Sequence, residues 1–464
     1  MHRAVTVRLT LACLSLGLLS LGGPTSHAAV QIAAPGGPVP TFNQHVAPLL
    51  STYCISCHRP GEAAPMSLLT FADARPWARA IKRELLAREM PPWFADGAFG
   101  EFNNMPKVPQ ADIDTIVAWV DGGAPEGDGA PPALPALHDG WSPLMKRPPD
   151  QVIEGPFEMD VPARGELPNF AVWVKVPFRN DTFVEAMQML PTNKRVVHHA
   201  GILQGNLPPE TKLGKGPAWD GGPVFDGVPV FNDGRPYRAR PGDDCGYPLL
   251  FYVPGGGFQR FPEGIAKRLT ANQYLCWDFH FVTTGTPEKT RMRLGLWFAK
   301  KTVTHEALTM TVNEKRMVNG REYPRFQAPP IPPGADSWTV TGTLSVPDAL
   351  TLYSLWPHMH YRGTDMTFIL RTPNGREETL LSVPKYDFNW QMIYELVRPL
   401  KIPARSTIIA IAHYDNSAKN RRNPAPNQEV LWGNQSSNEM FMPYLEVSVD
   451  KNDLRFDDLI RFVR

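Results

Sequence analysis

Two patterns of apolar and polar residues divide the chain after its first 40 residues. Within residues 41–125, apolar side chains recur at steps of three and four, as at Trp77, Ile81 and Leu85, and this spacing predicts amphipathic helices. From residue 151 onward, short runs rich in β-branched residues, such as Val172–Val176, lie between turn residues. Such runs predict strands. The pattern therefore predicts a small all-α domain followed by an all-β region.

Three helices are predicted in the first region. The first leads directly into Cys54, the second runs from about Asp73 to Arg88, and the third starts near Gln110 and stops at a pair of glycines. Residues 126–150 are rich in proline and glycine, a composition that predicts a semi-rigid linker.

The all-β region is too long for one sandwich, which typically holds about 100 residues. Pro373-Asn-Gly375 separates two strand-like runs, as expected for an antiparallel hairpin. The proline cluster Pro329–Pro333 marks a boundary within the region. We therefore expect two antiparallel sandwiches, at residues 151–325 and 326–464.

Composition narrows the class of partner and the compartment. The 464 residues carry a formal net charge of +1 and no run of Lys or Arg, which argues against nucleic acid as a partner. Cys245 and Cys276 lie outside any motif and could form a disulfide in an oxidising compartment. The alternative is two unrelated buried thiols.

The N-terminus has the parts of a secretory signal peptide. Arg3 and Arg8 precede an apolar stretch at Leu9–Leu21, and small residues follow up to Ala29. We expect removal of residues 1–29 and a location in the periplasm or outside the cell. The alternative is a membrane anchor, but the stretch is too short to span a bilayer comfortably. No stable membrane insertion is expected after cleavage.

Cys54-Ile-Ser-Cys57-His58 has the C-x-x-C-H spacing of covalent haem attachment. Each cysteine would form a thioether with a haem vinyl group, and His58 would bind the iron. A redox dithiol or half of a zinc site is the alternative. Met90 is the favoured sixth iron ligand, because two prolines stiffen the chain after it and a thioether suits an electron carrier. Its rivals are Met66 and Met105, and an unligated core methionine is the remaining alternative.

Two groups of histidines suggest further metal sites. His358 and His360 are two residues apart in a strand-like context, which places both imidazoles on one face. His198 and His199 are adjacent, so they can share a metal only at a strand end or a bulge. His280 would then complete an all-imidazole site.

The choice of metal depends on Met440. Two imidazoles alone suit zinc, copper or nickel, whereas a thioether added to His358 and His360 selects copper. Met442, two residues further on, is a possible substitute for Met440. His413 is a further polar residue that either supports the site or is structural.

Taken together, the haem motif and the histidine and methionine motifs resemble those of known families. Residues from about 151 to 460 resemble the copper type II, ascorbate-dependent monooxygenases, which hold one copper with three histidines and another with two histidines and a methionine. The matching residues are His198, His199 and His280 for the first set, and His358, His360 and Met440 for the second. Residues 41–125 resemble a class I cytochrome c, and the mature chain resembles bacterial fusions of the two modules.

The resemblance implies a multidomain fold in which a small all-α cytochrome c domain at 41–125 precedes two all-β jelly-roll-like sandwich domains. It implies a covalent haem c and two copper ions, with one copper on each sandwich and a cleft between them. O₂ and the substrate would meet at the copper of His358, His360 and Met440.

The expected function follows from these cofactors. An exported monooxygenase would hydroxylate a C–H bond of a small-molecule or peptide substrate with O₂, and the haem would relay electrons from a periplasmic donor to the two copper sites. Residues that anchor the substrate in the animal enzymes have no counterparts that can be placed here, so no substrate is implied. The alternatives are a non-enzymatic redox or copper-binding electron-transfer protein and, less favoured, a zinc-dependent hydrolase.

Overall fold

The computed structural model describes residues 38–134, 140–235, 237, 245–323 and 328–450. Contacts between residues divide the chain into two compact units, Met1–Pro38 and Val39–Arg464. Every element described below belongs to the second unit. The predicted signal peptide lies outside the described residues. No helix in the described ranges has the length and apolar composition needed to cross a bilayer.

The helices are short and lie near the front of the described chain. They are α1 (Ala47–Tyr53), α2 (Phe71–Ala74), α3 (Ala78–Leu86) and α4 (Gln110–Asp121), with a π-turn at Phe42–Val46 and 3₁₀ turns at Arg75–Trp77, Pro143–Met145 and Lys194–Val196. Their buried side chains form a small cluster around Phe42 and Trp119. Ile81 and Leu85 belong to it as the helical spacing predicts, but Trp77 is 43% exposed.

Strands make up most of the remaining structure. They are β1 (Gln151–Glu154), β2 (Met159–Val161), β3 (Phe170–Lys175), β4 (Thr182–Pro191), β5 (Val197–Gly205), β6 (Thr211–Pro217), β7 (Val224–Phe231), β8 (Tyr247–Tyr252), β9 (Phe258–Arg260), β10 (Ile265–Leu269), β11 (Tyr274–Phe281), β12 (Glu288–Thr290), β13 (Met292–Phe298), β14 (His305–Thr311), β15 (Lys315–Val318), β16 (Arg321–Tyr323), β17 (Trp338–Val346), β18 (Leu350–His358), β19 (Gly363–Arg371), β20 (Glu377–Val383), β21 (Tyr394–Ile402), β22 (Ser406–Tyr414) and β23 (Met442–Asp450).

Three larger sheets organise these strands. The largest has nine strands in the order β1-β13-β4-β10-β14-β23-β18-β21, with β9 also paired to β4. A four-stranded sheet runs β3-β11-β5-β8, and a six-stranded sheet runs β16-β15-β17-β22-β19-β20. Two-stranded pairs, β12-β2 and β6-β7, complete the described set. One extended core spans these sheets and includes Trp277, Leu308 and Phe368.

The predicted fold class is wrong. The described chain is dominated by strands, and its helices are only 4 to 12 residues long, so no small all-α cytochrome c domain stands apart from the rest. The helices and the sheets also fall in one compact unit. The two expected sandwiches are not separate either, because β14 of the first half pairs antiparallel with β23 of the second half and both belong to the nine-stranded sheet.

The segment between α3 and α4 shows why the helical pattern misled. Trp93 packs against Tyr394 of β21 with ring centroids 5.0 Å apart, and Phe102 packs against the same ring at 5.6 Å. Phe102 also forms an isolated antiparallel bridge with Leu396. Periodicity identifies which side chains are buried, but it does not identify the surface that buries them.

Candidate metal centres

A β-bulge brings the adjacent histidines His198 and His199 to one place. In the pairing of β5 with β11, His199 lies opposite His280, and the next pair joins Val197 to Phe281. His198 is therefore the extra residue of a bulge, the irregularity that the sequence required. The Nδ1 atoms of His198 and His199 are 3.0 Å apart. His198, His199 and His280 each have one ring nitrogen that could bind a metal, and these three nitrogens lie within 4.8 Å of one another.

The second histidine pair lies at the end of β18. His358 is the last residue of that strand, and the ring centroids of His358 and His360 are 5.3 Å apart. The Nδ1 of His360 is 3.3 Å from the backbone oxygen of Asn438. If Nδ1 carries the proton and donates it to this oxygen, Nε2 is left as a lone-pair donor for a metal.

The two histidine sets lie side by side. The ring centroids of His199 and His358 are 5.8 Å apart. Phe388 closes the cluster on one side, stacking on His198 at 4.8 Å and meeting His360 edge-on at 6.0 Å. The four-stranded and nine-stranded sheets each contribute one set, so the assembly of sheets decides how close the two sets come.

Burial keeps these imidazoles neutral. His199, His280, His358 and His360 are all at most 7% exposed, and His198 is partly buried. Burial, together with the charge repulsion of His280 and His358, lowers the pKa of His198 to about 3. Burial lowers the pKa of His280 and of His358 to about 4, and it holds those of His199 and His360 well below the ordinary value. Neutral imidazole is the form that binds metals.

The donor set fits a metal ion. Four ring nitrogens of the cluster are buried without a hydrogen-bond partner, namely His198 Nε2, His280 Nδ1, His358 Nδ1 and His360 Nε2. A buried polar atom without a partner costs free energy of folding. A cation bound between these nitrogens would satisfy them.

Glu439 organises the segment that carries Met440. This carboxylate is completely buried. Its Oε2 accepts hydrogen bonds from the backbone N–H of His360 at 2.9 Å and of Met440 at 3.2 Å, while Oε1 accepts from the N–H of Arg362 at 2.6 Å. One side chain therefore holds the backbones of two predicted ligands together. Sequence analysis missed this role, although Glu439 directly precedes Met440.

The other two undecided residues have clear positions. Met442 lies opposite His358 in the pairing of β18 with β23 and packs with Trp356 and Tyr444. His413 lies on β22 and bonds through Nδ1 to a carboxylate oxygen of Asp365 on β19, at 2.7 Å. This contact is partly exposed, which favours a structural role for His413.

The haem motif forms one wall of a large cavity. Cys54 and Cys57 are free thiols, and both line a cavity of about 1240 Å³ together with His58 and Met90. Met66 also lines it, whereas Met105 is not among the described lining residues. The Nδ1 of His58 is 3.3 Å from the backbone oxygen of Met66, an arrangement that leaves Nε2 available for iron.

The thiols themselves argue against a redox pair. Burial raises the pKa of Cys54 to about 12, and it also raises the pKa of Cys57 above its ordinary value. Reactive dithiols have lowered pKa values, because the thiolate is the nucleophile. The cavity and the disposition of Cys54, Cys57 and His58 fit a covalently held haem.

Ion pairs connect the haem motif to the histidine strand. Glu62, four residues after His58, binds Arg59 at 2.8 Å and Lys194 at 2.6 Å through the same carboxylate oxygen. Lys194 begins the 3₁₀ turn that leads into His198. An ion pair therefore joins the segment that follows the haem motif to the turn that precedes His198.

The predicted disulfide between Cys245 and Cys276 is present. Cys276 lies on β11, four residues before His280, and is fully buried. The bond therefore anchors the strand that carries the third histidine of the first set.

Comparisons with known proteins identify no family. No protein-family model matches the chain, and no curated protein matches it. Among solved structures, the VP2 subviral particle of infectious bursal disease virus is similar at 11% identity over 62% of this chain, with a TM-score of 0.17. The alignment spans 57% of that chain. The tandem CBM22 domains of Paenibacillus barcinonensis Xyn10C match at 10% identity over 63% of this chain and 81% of theirs, with a TM-score of 0.14.

Proposed function

We propose that this protein is an exported haem- and copper-dependent monooxygenase, which hydroxylates a C–H bond with O₂ and receives electrons through its haem. The observation that carries the proposal is the buried cluster of five neutral histidines, four of which have a ring nitrogen without a partner. Such a cluster is costly to fold unless it holds a metal. The motif resemblance to the copper monooxygenases supports the same function.

Copper suits the cluster better than zinc. The first set offers three imidazoles, and the second offers His358 and His360 with Met440 on the adjoining segment. A thioether is a soft ligand that favours copper, especially Cu(I), over zinc. Copper bound here would supply one-electron redox chemistry toward O₂.

The chain's own residues would prepare the ligands. Asn438 fixes the ring orientation of His360 through its backbone oxygen, and Glu439 fixes the loop that carries Met440. Phe388 covers His198 and keeps bulk water from that side of the cluster. Pre-orientation of metal ligands by such neighbours raises affinity and fixes geometry.

A haem held by Cys54, Cys57 and His58 would supply single electrons. Met90 lines the same cavity and would serve as the sixth ligand. The Lys194–Glu62 contact keeps the haem motif next to the histidine strand. Tethering raises the effective concentration of a donor relative to one that diffuses.

A second candidate is an electron-transfer protein that binds copper without hydroxylating a substrate. The burial of His199, His280, His358 and His360 favours it, because a closed site restricts access of a substrate to the metal. The two functions differ in one observable. Only the monooxygenase consumes O₂ in proportion to an added substrate.

The first experiment measures metal content. Protein exported through a haem-loading periplasm is treated with copper(II) sulfate, freed of excess copper and analysed for iron, copper and zinc. The proposal expects two coppers per haem, with less copper in His358→Ala and His280→Ala at limiting copper. His305→Ala serves as the matched control, because His305 is exposed at the start of β14 and should keep all the copper. Zinc in place of copper, or no copper, would refute the proposal.

The second experiment measures O₂ uptake by the copper-loaded protein with reductant and a panel of apolar and peptide compounds. Uptake that requires a panel compound and yields its hydroxylated product supports the monooxygenase. If the protein is fully loaded with copper but its O₂ uptake does not depend on any compound in the panel, the electron-transfer protein would be favoured instead.

A further inference from the structure

Trp356 stands between the haem-motif cavity and the copper-ligand cluster. Its side chain lines the same cavity as Cys57 and His58. On its other side, its ring centroid lies 5.0 Å from that of His358. The two residues are two apart on β18, so their side chains leave the strand on the same face.

The position of Trp356 is fixed by its neighbours. Its Nε1–H donates to the backbone oxygen of Gln391 at 2.7 Å. Its ring stacks on Tyr444 with centroids 5.0 Å apart at 17°, and it meets Phe251 at 4.3 Å. All three aromatic residues line the cavity, and Trp356 and Tyr444 are buried. They form an aromatic wall, defined here as Phe251, Trp356 and Tyr444.

Within the described residues, His198, His199 and His280 make no ring contact with a residue that lines the cavity. In the described chain, the ring neighbours of His198 and His280 are other histidines and Phe388. Phe388 is not among the cavity-lining residues. Ring contact between the cavity wall and the cluster therefore runs through Trp356 to His358.

We propose that Trp356 is the conduit through which an electron passes from the haem cavity into the copper cluster, entering at His358. This inference rests on the proposed function. Electronic coupling weakens steeply across gaps between atoms, and an indole in contact with both sides removes such a gap. Trp356 is thus a positioning and coupling residue, since it contacts a metal ligand and not the reacting atoms.

The step transfers one electron and makes or breaks no bond. A ferrous haem held by Cys54, Cys57 and His58 would be oxidised to the ferric state, and one copper(II) held by His358 and His360 would be reduced to copper(I). No proton moves in this step.

The test follows haem oxidation directly. In anaerobic protein carrying haem and oxidised copper, a photochemical one-electron reductant converts the haem iron to the ferrous state within one flash. Decay of the ferrous absorbance then reports transfer to copper, and the copper(II) signal in electron paramagnetic resonance falls in step. Neither readout requires a substrate or turnover.

Three variants separate coupling from packing. Trp356→Met fills much of the space with a flexible apolar chain but removes the aromatic ring, and it should slow the decay severalfold. Trp356→Phe keeps a ring and should retain most of the rate. Trp390→Leu is the control, because Trp390 lines the same cavity and should leave the rate unchanged.

The outcomes distinguish the inference from the function on which it rests. An unchanged decay rate in Trp356→Met with full haem and copper would overturn the conduit alone. Copper loss in both Trp356 variants would show that the indole only packs, and would overturn it as well. Absence of copper-dependent haem oxidation in the unaltered protein would overturn both the conduit and the proposed function.

Discussion

Replacing Glu439 with Gln should weaken copper binding without unfolding the protein. The two carboxylate oxygens of Glu439 together accept three backbone N–H groups, from His360, Arg362 and Met440, at 2.6 to 3.2 Å. Gln has one acceptor oxygen and carries an amide NH₂ in place of the other. At least one backbone N–H would then face another donor in a fully buried place.

The size of the effect follows from this geometry. One buried N–H without an acceptor costs about 1–3 kcal/mol. Because two of the three N–H groups belong to the predicted ligands His360 and Met440, much of that cost should appear as displaced ligands. Changes to residues that support metal ligands typically weaken binding by about 10–100-fold, which corresponds to about 1.4–2.7 kcal/mol. The two estimates overlap.

The assay is competition for Cu(I) with a chromophoric chelator, alongside urea unfolding of the metal-free protein. Glu314→Gln is the matched control, because the exposed Glu314 carboxylate also accepts a backbone N–H, from Ser345 at 2.7 Å. Copper affinity should fall for Glu439→Gln and stay constant for Glu314→Gln. Equal affinity in a folded Glu439→Gln protein would refute the idea that this carboxylate positions the ligands.

Three further predictions concern stability in urea. Lys267 is fully buried and binds Glu446 at 2.9 Å, so Lys267→Met should lower the free energy of unfolding by about 3–5 kcal/mol. Adding Glu446→Leu to this variant should restore part of the lost stability. A double variant whose loss equals the sum of the two single losses would contradict this. Burial opposes ionisation of Asp150, but a paired lysine and arginine outweigh this effect and lower its pKa to about 2. Asp150→Asn should therefore lose its full amount of stability above pH 3.8, the ordinary pKa, and the loss should disappear as the pH falls toward 2. A loss of stability that does not depend on pH would refute the pairing. Replacing Cys245 and Cys276 together by Ser should cost about 2–4 kcal/mol in non-reducing urea, because the bond closes a loop with a sequence separation of 31; unchanged stability would argue against the bond.

Local patterns in the sequence predicted individual elements well. The β-branched run at Val172–Val176 lies largely in β3, and Pro373-Asn-Gly375 does connect β19 to β20. The third predicted helix begins at Gln110. These elements depend on propensity and turn chemistry within a few residues, so a single sequence contains the information that specifies them.

The arrangement of elements was not accessible in the same way. Trp77 has helical spacing, yet it is 43% exposed. Trp119 was not among the side chains that the helical spacing predicted to be buried, yet it is fully buried in the helical cluster. Burial depends on the partner surface, and partner surfaces come from residues distant in sequence.

For the candidate site, the sequence by itself determined the residue types and their local geometry. The adjacent pair His198-His199 required either a strand end or a bulge to share a metal, and the structure has a bulge opposite His280. Only the tertiary structure decided that the two histidine sets touch and that Glu439 accepts hydrogen bonds from the backbones of both His360 and Met440. It also decided that Trp356 contacts both the cavity and His358. The reason is physical: spacing along a strand fixes the direction of a side chain, whereas the distance between strands far apart in sequence is fixed by how the sheets pack.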